Sequence, residues 1–314
     1  MSKSLATAVW ILSFIALGSA GAHSTYAQSS PKLTAVTSLF PLQEFTQAVG
    51  GEKVQVDLLL PPGAEPHAWE PKPSDVVKIS KADFFLYIGP AMEPWAKNLL
   101  KAAKASRLTV VEASEGLPLL ESKGSHHALS SSNRLGHVDP HIWLDFSLDQ
   151  IIVDKIATAF SQKDPPRSST YHANAERYKA KLADLDRTFK AGLSSCAQRR
   201  FFVGGHSAFA YMARRYGLEQ RTLYGVSPNS EPTPKRLAEV IQAARDQGVR
   251  VIFFEELINP KLAHVLAKEA QIGTRPLYNG ANLTRDQIRA RMTFLKLMQL
   301  NLESLRQGLD CESK

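Results

Sequence analysis

Three histidines occur in turn-rich segments that lie far apart in the chain. They are His67 in residues 61–71 (PPGAEPHAWEP), His141 in residues 139–145 (DPHIWLD) and His206 in residues 203–209 (VGGHSAF). Neutral imidazole is the commonest protein ligand for borderline-soft divalent metals. Three imidazoles that converge would form a zinc-type site with one coordination position left for a carboxylate or water. The sequence therefore predicts a metal site built from His67, His141 and His206.

The first 27 residues have the layout of a secretory signal peptide. A basic start at Lys3 precedes an apolar run over residues 5–17, and cleavage after Ala22 or Ala27 fits the small residues that follow. This run is shorter than the roughly 20 residues that a membrane-spanning helix needs, which disfavours a transmembrane anchor. No cysteine lies near the cleavage region, so a lipid-modified N-terminus is not expected. We expect a soluble protein exported to the periplasm, with residues 1–27 as its signal peptide.

Composition excludes several classes of protein. The chain has 314 residues, of which 44% are hydrophobic and 22% charged, as in ordinary globular proteins. Removal of the signal peptide leaves about 290 residues, enough for two domains. The formal charge of +8 comes from Lys and Arg residues scattered along predicted helices. We therefore expect a solvated basic surface on a monomer, and nucleic acid is not an expected partner.

The chain contains two cysteines, Cys196 and Cys311. In an oxidising compartment an isolated pair usually forms a disulfide, with two free thiols as the alternative. Neither cysteine has a histidine or second cysteine at ligand spacing, so metal ligation by them is not expected. Cys196 follows the long predicted helix, and Cys311 lies at the C-terminus just past another predicted helix, so a disulfide would hold the last helix against the start of the second domain.

Short apolar runs alternate with helical stretches along the chain. Strands are predicted at residues 33–39, 54–60, 84–88, 108–111, 201–203, 251–254 and 276–278. Helices are predicted at residues 42–49, 95–105, 148–160, 235–247 and 261–270. Strands separated by helices indicate an α/β protein with mostly parallel sheets and helical crossovers.

One long helix is predicted from residue 169 to about residue 193. Its apolar residues form one continuous stripe at spacings of three and four: Tyr171, Ala175, Tyr178, Leu182, Leu185, Phe189 and Leu193. Such a helix is about 40 Å long, the size of a domain. We interpret it as a connector (residues 166–196) between an N-terminal α/β lobe (residues 31–165) and a C-terminal α/β lobe (residues 197–314).

The predicted lobes place two of the histidines at comparable positions. In open α/β sheets ligands bind beyond the carboxyl ends of the strands. His67 follows the strand at residues 54–60, and His206 follows the strand at residues 201–203. A cleft between the lobes would bring them together, and we expect the metal site there.

Four motifs resemble the metal-binding solute-binding proteins of bacterial ABC transporters, the ZnuA/TroA-like family. They are residues 62–75 (PGAEPHAWEPKPSD), 139–145 (DPHIWLD), 206–218 (HSAFAYMARRYGL) and 252–255 (IFFE). The resemblance covers essentially all of the mature chain and implies two α/β lobes, a long backbone helix, a metal in the cleft and delivery to a membrane permease. His206 stands where manganese-binding relatives typically carry Glu, so the site resembles the zinc branch. Three nitrogen donors also suit zinc better than manganese.

The fourth ligand stays open at this stage. Relatives often carry an Asp after the last strand of the second lobe, but the corresponding residue here is Gly280. Glu255, Asn279 and water are the candidates, and Glu255 could instead orient a histidine. A further segment, with His126, His127 and His137, resembles a short version of the His-rich loop of zinc carriers, where imidazoles capture zinc weakly. The alternative is a polar insertion with incidental histidines.

Other functions are compatible with parts of this pattern. A manganese or iron carrier would share the fold and most of the motifs. A zinc hydrolase also uses three histidines and an open position, but it needs a general base, and no His-Glu-x-x-His motif occurs. An adhesin, a role ascribed to relatives, is disfavoured because the chain lacks a lipid-attachment cysteine. We expect a carrier of Zn²⁺ and no catalytic activity.

Overall fold

The computed structural model describes residues 32–121, 138–222, 234–246, 248–255 and 261–312. The predicted signal peptide, residues 1–27, lies outside these ranges. So do His126, His127 and His137, and their predicted role stays a prediction.

The first half of the described chain builds a four-stranded parallel sheet with helices around it, which we call the first lobe. Its elements are β1 (Leu33–Thr37), α1 (Phe40–Gly50), β2 (Val54–Leu58), α2 (Pro73–Lys81), β3 (Phe84–Tyr87), α3 (Ala96–Ala103), β4 (Thr109–Glu112) and α4 (Phe146–Lys163). The strand order is β2-β1-β3-β4, and every pairing is parallel. All four residues of β3 are buried, as expected for a central strand covered on both faces.

The second half, the second lobe, repeats this architecture after the long helix α5 (Ser168–Leu193). Its elements are β5 (Arg200–Val203), α6 (Ala210–Arg215), β6 (Glu219–Thr222), α7 (Pro234–Asp246), β7 (Val251–Phe254), α8 (Lys261–Ala270), β8 (Gly273–Pro276), α9 (Arg285–Arg289) and α10 (Phe294–Gly308). The strand order is β6-β5-β7-β8, again all parallel. The predicted fold class, α/β with two parallel sheets and a long helix, is confirmed.

Helix α5 buries the predicted apolar stripe, from Tyr171 to Leu193. It packs against α4 and α1 of the first lobe and against α10 of the second. Within the described ranges, no helix is both long and apolar enough to cross a lipid bilayer. The assignment of residues 31–165, 166–196 and 197–314 to separate domains stays a prediction.

One hydrophobic cluster runs through both lobes beside α5. Phe146 on α4 packs edge-on against Phe189 on α5, with ring centroids 5.1 Å apart. Phe45 on α1 packs in the same way against Phe294 on α10, at 5.4 Å. Because protein interiors are close-packed, a shared core of this kind resists large relative motion of the lobes. We infer a stiff molecule with small movements around the cleft.

Two features of the second lobe differ from the predicted elements. The last strand covers Gly273–Pro276 where residues 276–278 were predicted, and Tyr278 lies outside the sheet. Its backbone N–H donates to Asn301 Oδ1 on α10 and its carbonyl accepts from Asn301 Nδ2, each at 2.7 Å. The edge strand β6 was missed because its residues, Glu-Gln-Arg-Thr, have no apolar alternation. Helices α2, α6 and α9 were also absent from the predicted elements, whereas α10 is the helix predicted to end just before Cys311.

Cys196 and Cys311 form the predicted disulfide. Their backbones also make an antiparallel bridge, and Ala197 N–H donates to the Asp310 carbonyl at 3.2 Å. The bridge joins the chain just after α5 to the chain just after α10. It therefore closes the C-terminal helix onto the second lobe.

Candidate metal centre

His67 is carried by a single 3-10 turn, Pro66–Ala68, which follows β2. Glu65 caps this turn, because its Oε2 accepts a hydrogen bond from the Ala68 N–H at 2.9 Å. The ring of His67 is only partly buried. Its position depends on the backbone that precedes the turn, the segment Pro61-Pro62-Gly63-Ala64.

That segment is a tight β-turn. The Ala64 N–H donates to the Pro61 carbonyl at 3.0 Å, and Gly63 has a φ of +78°. A proline at the second position and a glycine with positive φ at the third are what a type II turn requires. The sequence Pro-Pro-Gly therefore directs the chain from the end of β2 to His67.

His141 is oriented by Asp139. The Asp139 Oδ1 accepts hydrogen bonds from the His141 backbone N–H at 3.0 Å and from the ring Nδ1 at 2.8 Å. Both side chains are almost fully buried. A proton on Nδ1 leaves the lone pair on Nε2, so the carboxylate selects the tautomer that can bind a metal through Nε2.

His206 has an equivalent partner in the second lobe. It follows β5, and its Nδ1 donates to Glu255 Oε1 at 2.9 Å; Glu255 follows the neighbouring strand β7. The second oxygen of this carboxylate accepts from Asn279 Nδ2 at 3.1 Å. A Cβ atom at Gly205 would overlap Glu255 Oε1, so only glycine lets the carboxylate reach the imidazole.

The structure brings all three predicted histidines together. The Nε2 of His141 lies 3.2 Å from the Nε2 of His67 and 3.2 Å from the Nε2 of His206. One ring nitrogen from each histidine fits within 4.8 Å of the other two. In a tetrahedral zinc site with Zn–N bonds of about 2.0 Å, neighbouring ligand nitrogens are about 3.3 Å apart. The two measured separations match that spacing.

The pKa values of His67 and His206 are shifted in opposite directions. Burial, followed by the neighbouring His141 and His206, lowers the pKa of His67 to about 2. Burial also opposes protonation of His206, but the negative charge of Glu255 and its hydrogen bond outweigh burial and raise the pKa of His206 above its ordinary value. His67 is therefore a neutral nitrogen donor at physiological pH, whereas His206 holds a proton to a higher pH than an ordinary histidine.

The candidates for a fourth protein ligand already have partners. Both oxygens of Glu255 are engaged, by His206 and by Asn279. The Oδ1 of Asn279 accepts from the Ala281 N–H at 2.9 Å. Within the described part of the chain, no second group of three His, Cys, Asp or Glu residues has metal-binding geometry.

Two α/β lobes joined by one long helix, with a buried three-histidine cluster between them, define the class of metal-binding solute-binding proteins. A family model described as "Zinc-uptake complex component A periplasmic" matches residues 35–308, and the chain belongs to this family.

Individual relatives are consistent with membership of this family. The chain is 33% identical to the high-affinity zinc uptake system protein ZnuA of Bacillus subtilis over 94% of this chain and 93% of the relative. It is 34% identical to the zinc-binding protein AdcA of Streptococcus pyogenes, and it spans 57% of that longer protein. Among solved structures, the Zn(II)-bound ZnuA-like domain of Streptococcus pneumoniae AdcA superposes with a TM-score of 0.77 at 34% identity, over 89% of this chain and 99% of that domain.

Some residues of the centre were not singled out from the sequence. Asp139 lay in a quoted motif but had no assigned role, although metal-binding histidines commonly donate their second ring N–H to a carboxylate. Asn282 gave no signal at all. Its amide contacts residues more than two hundred positions away in the chain.

Proposed function

We propose that this protein captures Zn²⁺ with high affinity and that His67, His141 and His206 are its ligands. The observation that carries the proposal is the convergence of three Nε2 atoms, two of whose rings are locked by Asp139 and Glu255 in the tautomer that points Nε2 inward. Lone pairs on converging nitrogens repel one another unless a cation or a shared proton lies between them. The relatives named for zinc uptake support this choice of cargo.

We propose water as the fourth ligand. Glu255 serves as an orienting carboxylate and not as a ligand, because both of its oxygens have other partners. Asn279 is hydrogen-bonded to Glu255 and Ala281, so it helps to orient His206 indirectly, through Glu255. A three-histidine site with one water keeps a position through which zinc can enter or leave.

The proposed physiological role is zinc delivery to an ABC permease for import. The family description names a periplasmic component of a zinc-uptake complex, which supports the predicted export through residues 1–27. The cargo is bound and released unchanged, so the protein needs no catalytic group. Asp139 and Glu255, the carboxylates closest to the rings, are occupied by hydrogen bonds and do not serve as general bases.

Manganese is the alternative cargo within this family. Mn²⁺ prefers oxygen donors and stands lowest in the affinity order for nitrogen sites, so three imidazoles discriminate against it. Iron stands only one step higher in that order. The donor set therefore favours zinc over both.

Metal titration of the mature chain, residues 28–314, tests this function. We expect one zinc per chain, far weaker manganese binding in competition, and loss of tight binding in His67→Ala, His141→Ala and His206→Ala. His172→Ala, on the exposed face of α5, is the matched control and should bind like the wild type. Equal or tighter binding of manganese would refute zinc as the cargo, and undiminished binding by the three alanine variants would refute the site.

A further inference from the structure

The three histidines are not held in the same way. His141 and His206 each donate Nδ1 to a buried carboxylate. His67 is held through its backbone, by the Glu65 cap and by the turn that precedes it. Whatever fixes this turn therefore fixes the third ligand.

The turn is fixed from the other lobe by Asn282. Its Nδ2 donates to the Pro61 carbonyl at 2.7 Å and to the Ala64 carbonyl at 2.9 Å, the first and last residues of the turn. The next residue, Leu283, accepts from the Gly63 N–H at 2.9 Å. Three hydrogen bonds thus connect two residues after β8 to three residues of the turn after β2.

Asn282 has no spare hydrogen-bonding capacity. Its Oδ1 accepts from the Leu283 N–H at 2.8 Å, which holds the amide in one orientation, and only 2% of the residue is exposed. Removal of this buried amide takes one donor away from each of two carbonyl oxygens, and the Pro61 carbonyl keeps the Ala64 N–H as its other donor.

We propose that Asn282 is a positioning residue that keeps His67 on the metal and thereby sets the lifetime of bound zinc. This inference rests on the proposed function and deepens it. His67 is the least buried of the three ligands, and its turn contacts the second lobe through this amide. Loss of the amide frees the turn to swing His67 outward, while His141 and His206 keep their carboxylates. Loss of Asn282 therefore changes the dissociation rate of the metal more than it changes the selectivity of the site among metals.

The test compares zinc dissociation into excess chelator for Asn282→Ala and Asn282→Ser with the wild type. We expect about tenfold faster release from Asn282→Ala, the usual cost of losing a residue that orients a ligand. Asn282→Ser keeps one hydroxyl donor and should be intermediate. Asn174→Ala is the matched control, because Asn174 also donates from a buried amide to a backbone carbonyl, that of Val49, away from the histidines.

A double-mutant cycle separates positioning from general stability. In a His67→Ala background the Asn282→Ala change should alter the release rate by less than about twofold, because the ligand it positions is gone. Co²⁺ absorption adds a geometric readout: the four-coordinate bands of the wild type should weaken in Asn282→Ala and stay unchanged in Asn174→Ala.

The outcomes separate this inference from the proposed function. If the wild type fails to bind one metal, or if His67→Ala binds like the wild type, the proposed function fails. If those results hold but Asn282→Ala releases zinc no faster than Asn174→Ala, the inference about Asn282 is wrong. It is also wrong if the full acceleration persists in the His67→Ala background, or if neither Asn282 variant folds while Asn174→Ala does, since Asn282 then acts through the fold.

Discussion

Glu255 lies 2.9 Å from the Nδ1 of His206, and both side chains are at most 1% exposed. A carboxylate buried this deeply would be costly alone, but here it accepts from an imidazole and from an amide. The pair lies at the carboxyl ends of the adjacent strands β5 and β7. It makes His206 a stronger donor towards a cation and fixes the direction in which its Nε2 points.

Neutralising this carboxylate should weaken zinc binding. We expect Glu255→Gln to lower zinc affinity by about tenfold. The neutral glutamine amide no longer increases the electron density that His206 offers to the metal. Competition with a chromogenic chelator measures the change. Glu52→Gln, an exposed substitution in the first lobe, is the control and should leave affinity unchanged.

Gly205 should be irreplaceable for a steric reason. In Gly205→Ala the new Cβ overlaps Glu255 Oε1, so the carboxylate must move away from His206. Zinc affinity should fall at least as far as in Glu255→Gln. Gly273→Ala is the control, since its Cβ would meet the Arg250 carbonyl at an ordinary 3.6 Å. Unchanged affinity in Gly205→Ala would show that the Glu255 contact is dispensable.

Zinc binding should release a proton from His206 and none from His67. The pKa of His206 is raised, so zinc displaces a proton there; His67, with a pKa of about 2, has none to lose. Affinity should therefore fall as pH decreases through the raised pKa of His206. Calorimetry in buffers of different ionisation enthalpy counts the protons. Glu255→Gln should release fewer at the same pH, because the carboxylate that raises the pKa is gone.

His206 should also control selectivity. His206→Glu replaces a nitrogen donor with a hard, charged oxygen, so zinc affinity should decrease and the difference between zinc and manganese should narrow. Parallel titrations of both metals into the wild type and the variant measure this difference. A variant that keeps the full wild-type preference for zinc would contradict the donor-set argument.

A buried aspartate outside the three-histidine cluster should make the free energy of unfolding depend on pH. Burial, followed by the charge of Asp145, raises the pKa of Asp149 on α4 well above its usual value, and neither oxygen has a hydrogen-bond partner within the described chain. The folded state therefore holds a proton that the unfolded chain releases above about pH 4. Stability should fall as pH rises from there towards the raised pKa. Asp149→Asn should remove this dependence and be neutral or stabilising by up to about 2 kcal/mol at pH 8, as denaturant unfolding would show.

Asp186 on α5 provides the contrasting control. Burial opposes its ionisation, but hydrogen bonds from Arg215, Lys190 and Tyr216 lower its pKa to about 2. Its contribution to stability is present above its ordinary pKa and is lost as pH falls towards 2. Asp186→Asn should cost about 2 kcal/mol at pH 7, because the Arg215 guanidinium loses its bidentate carboxylate while it keeps Asp145 and Ser147 as partners. Similar effects of the two substitutions would contradict the assigned protonation states.

The amino-acid sequence by itself determined the alternation of strands and helices, the long helix, the disulfide pair and the three histidines that converge. Each of these features has a local signal in the sequence: apolar periodicity, the number of cysteines, or a histidine next to Pro or Gly and close to a strand. Where no such signal existed, as in the polar edge strand β6 or at Tyr278, the predicted elements were wrong or absent.

The tertiary structure alone decided how the histidines are oriented. Glu255 lies 49 residues from His206, and Asn282 lies 221 residues from Pro61. A carboxylate or an amide has the same local sequence signal whether it faces solvent or a partner from the opposite lobe. The pairing of β5 with β7 brings Glu255 to His206, and the packing of the two lobes brings Asn282 to the turn after β2. Both contacts exclude the water that would otherwise satisfy these groups.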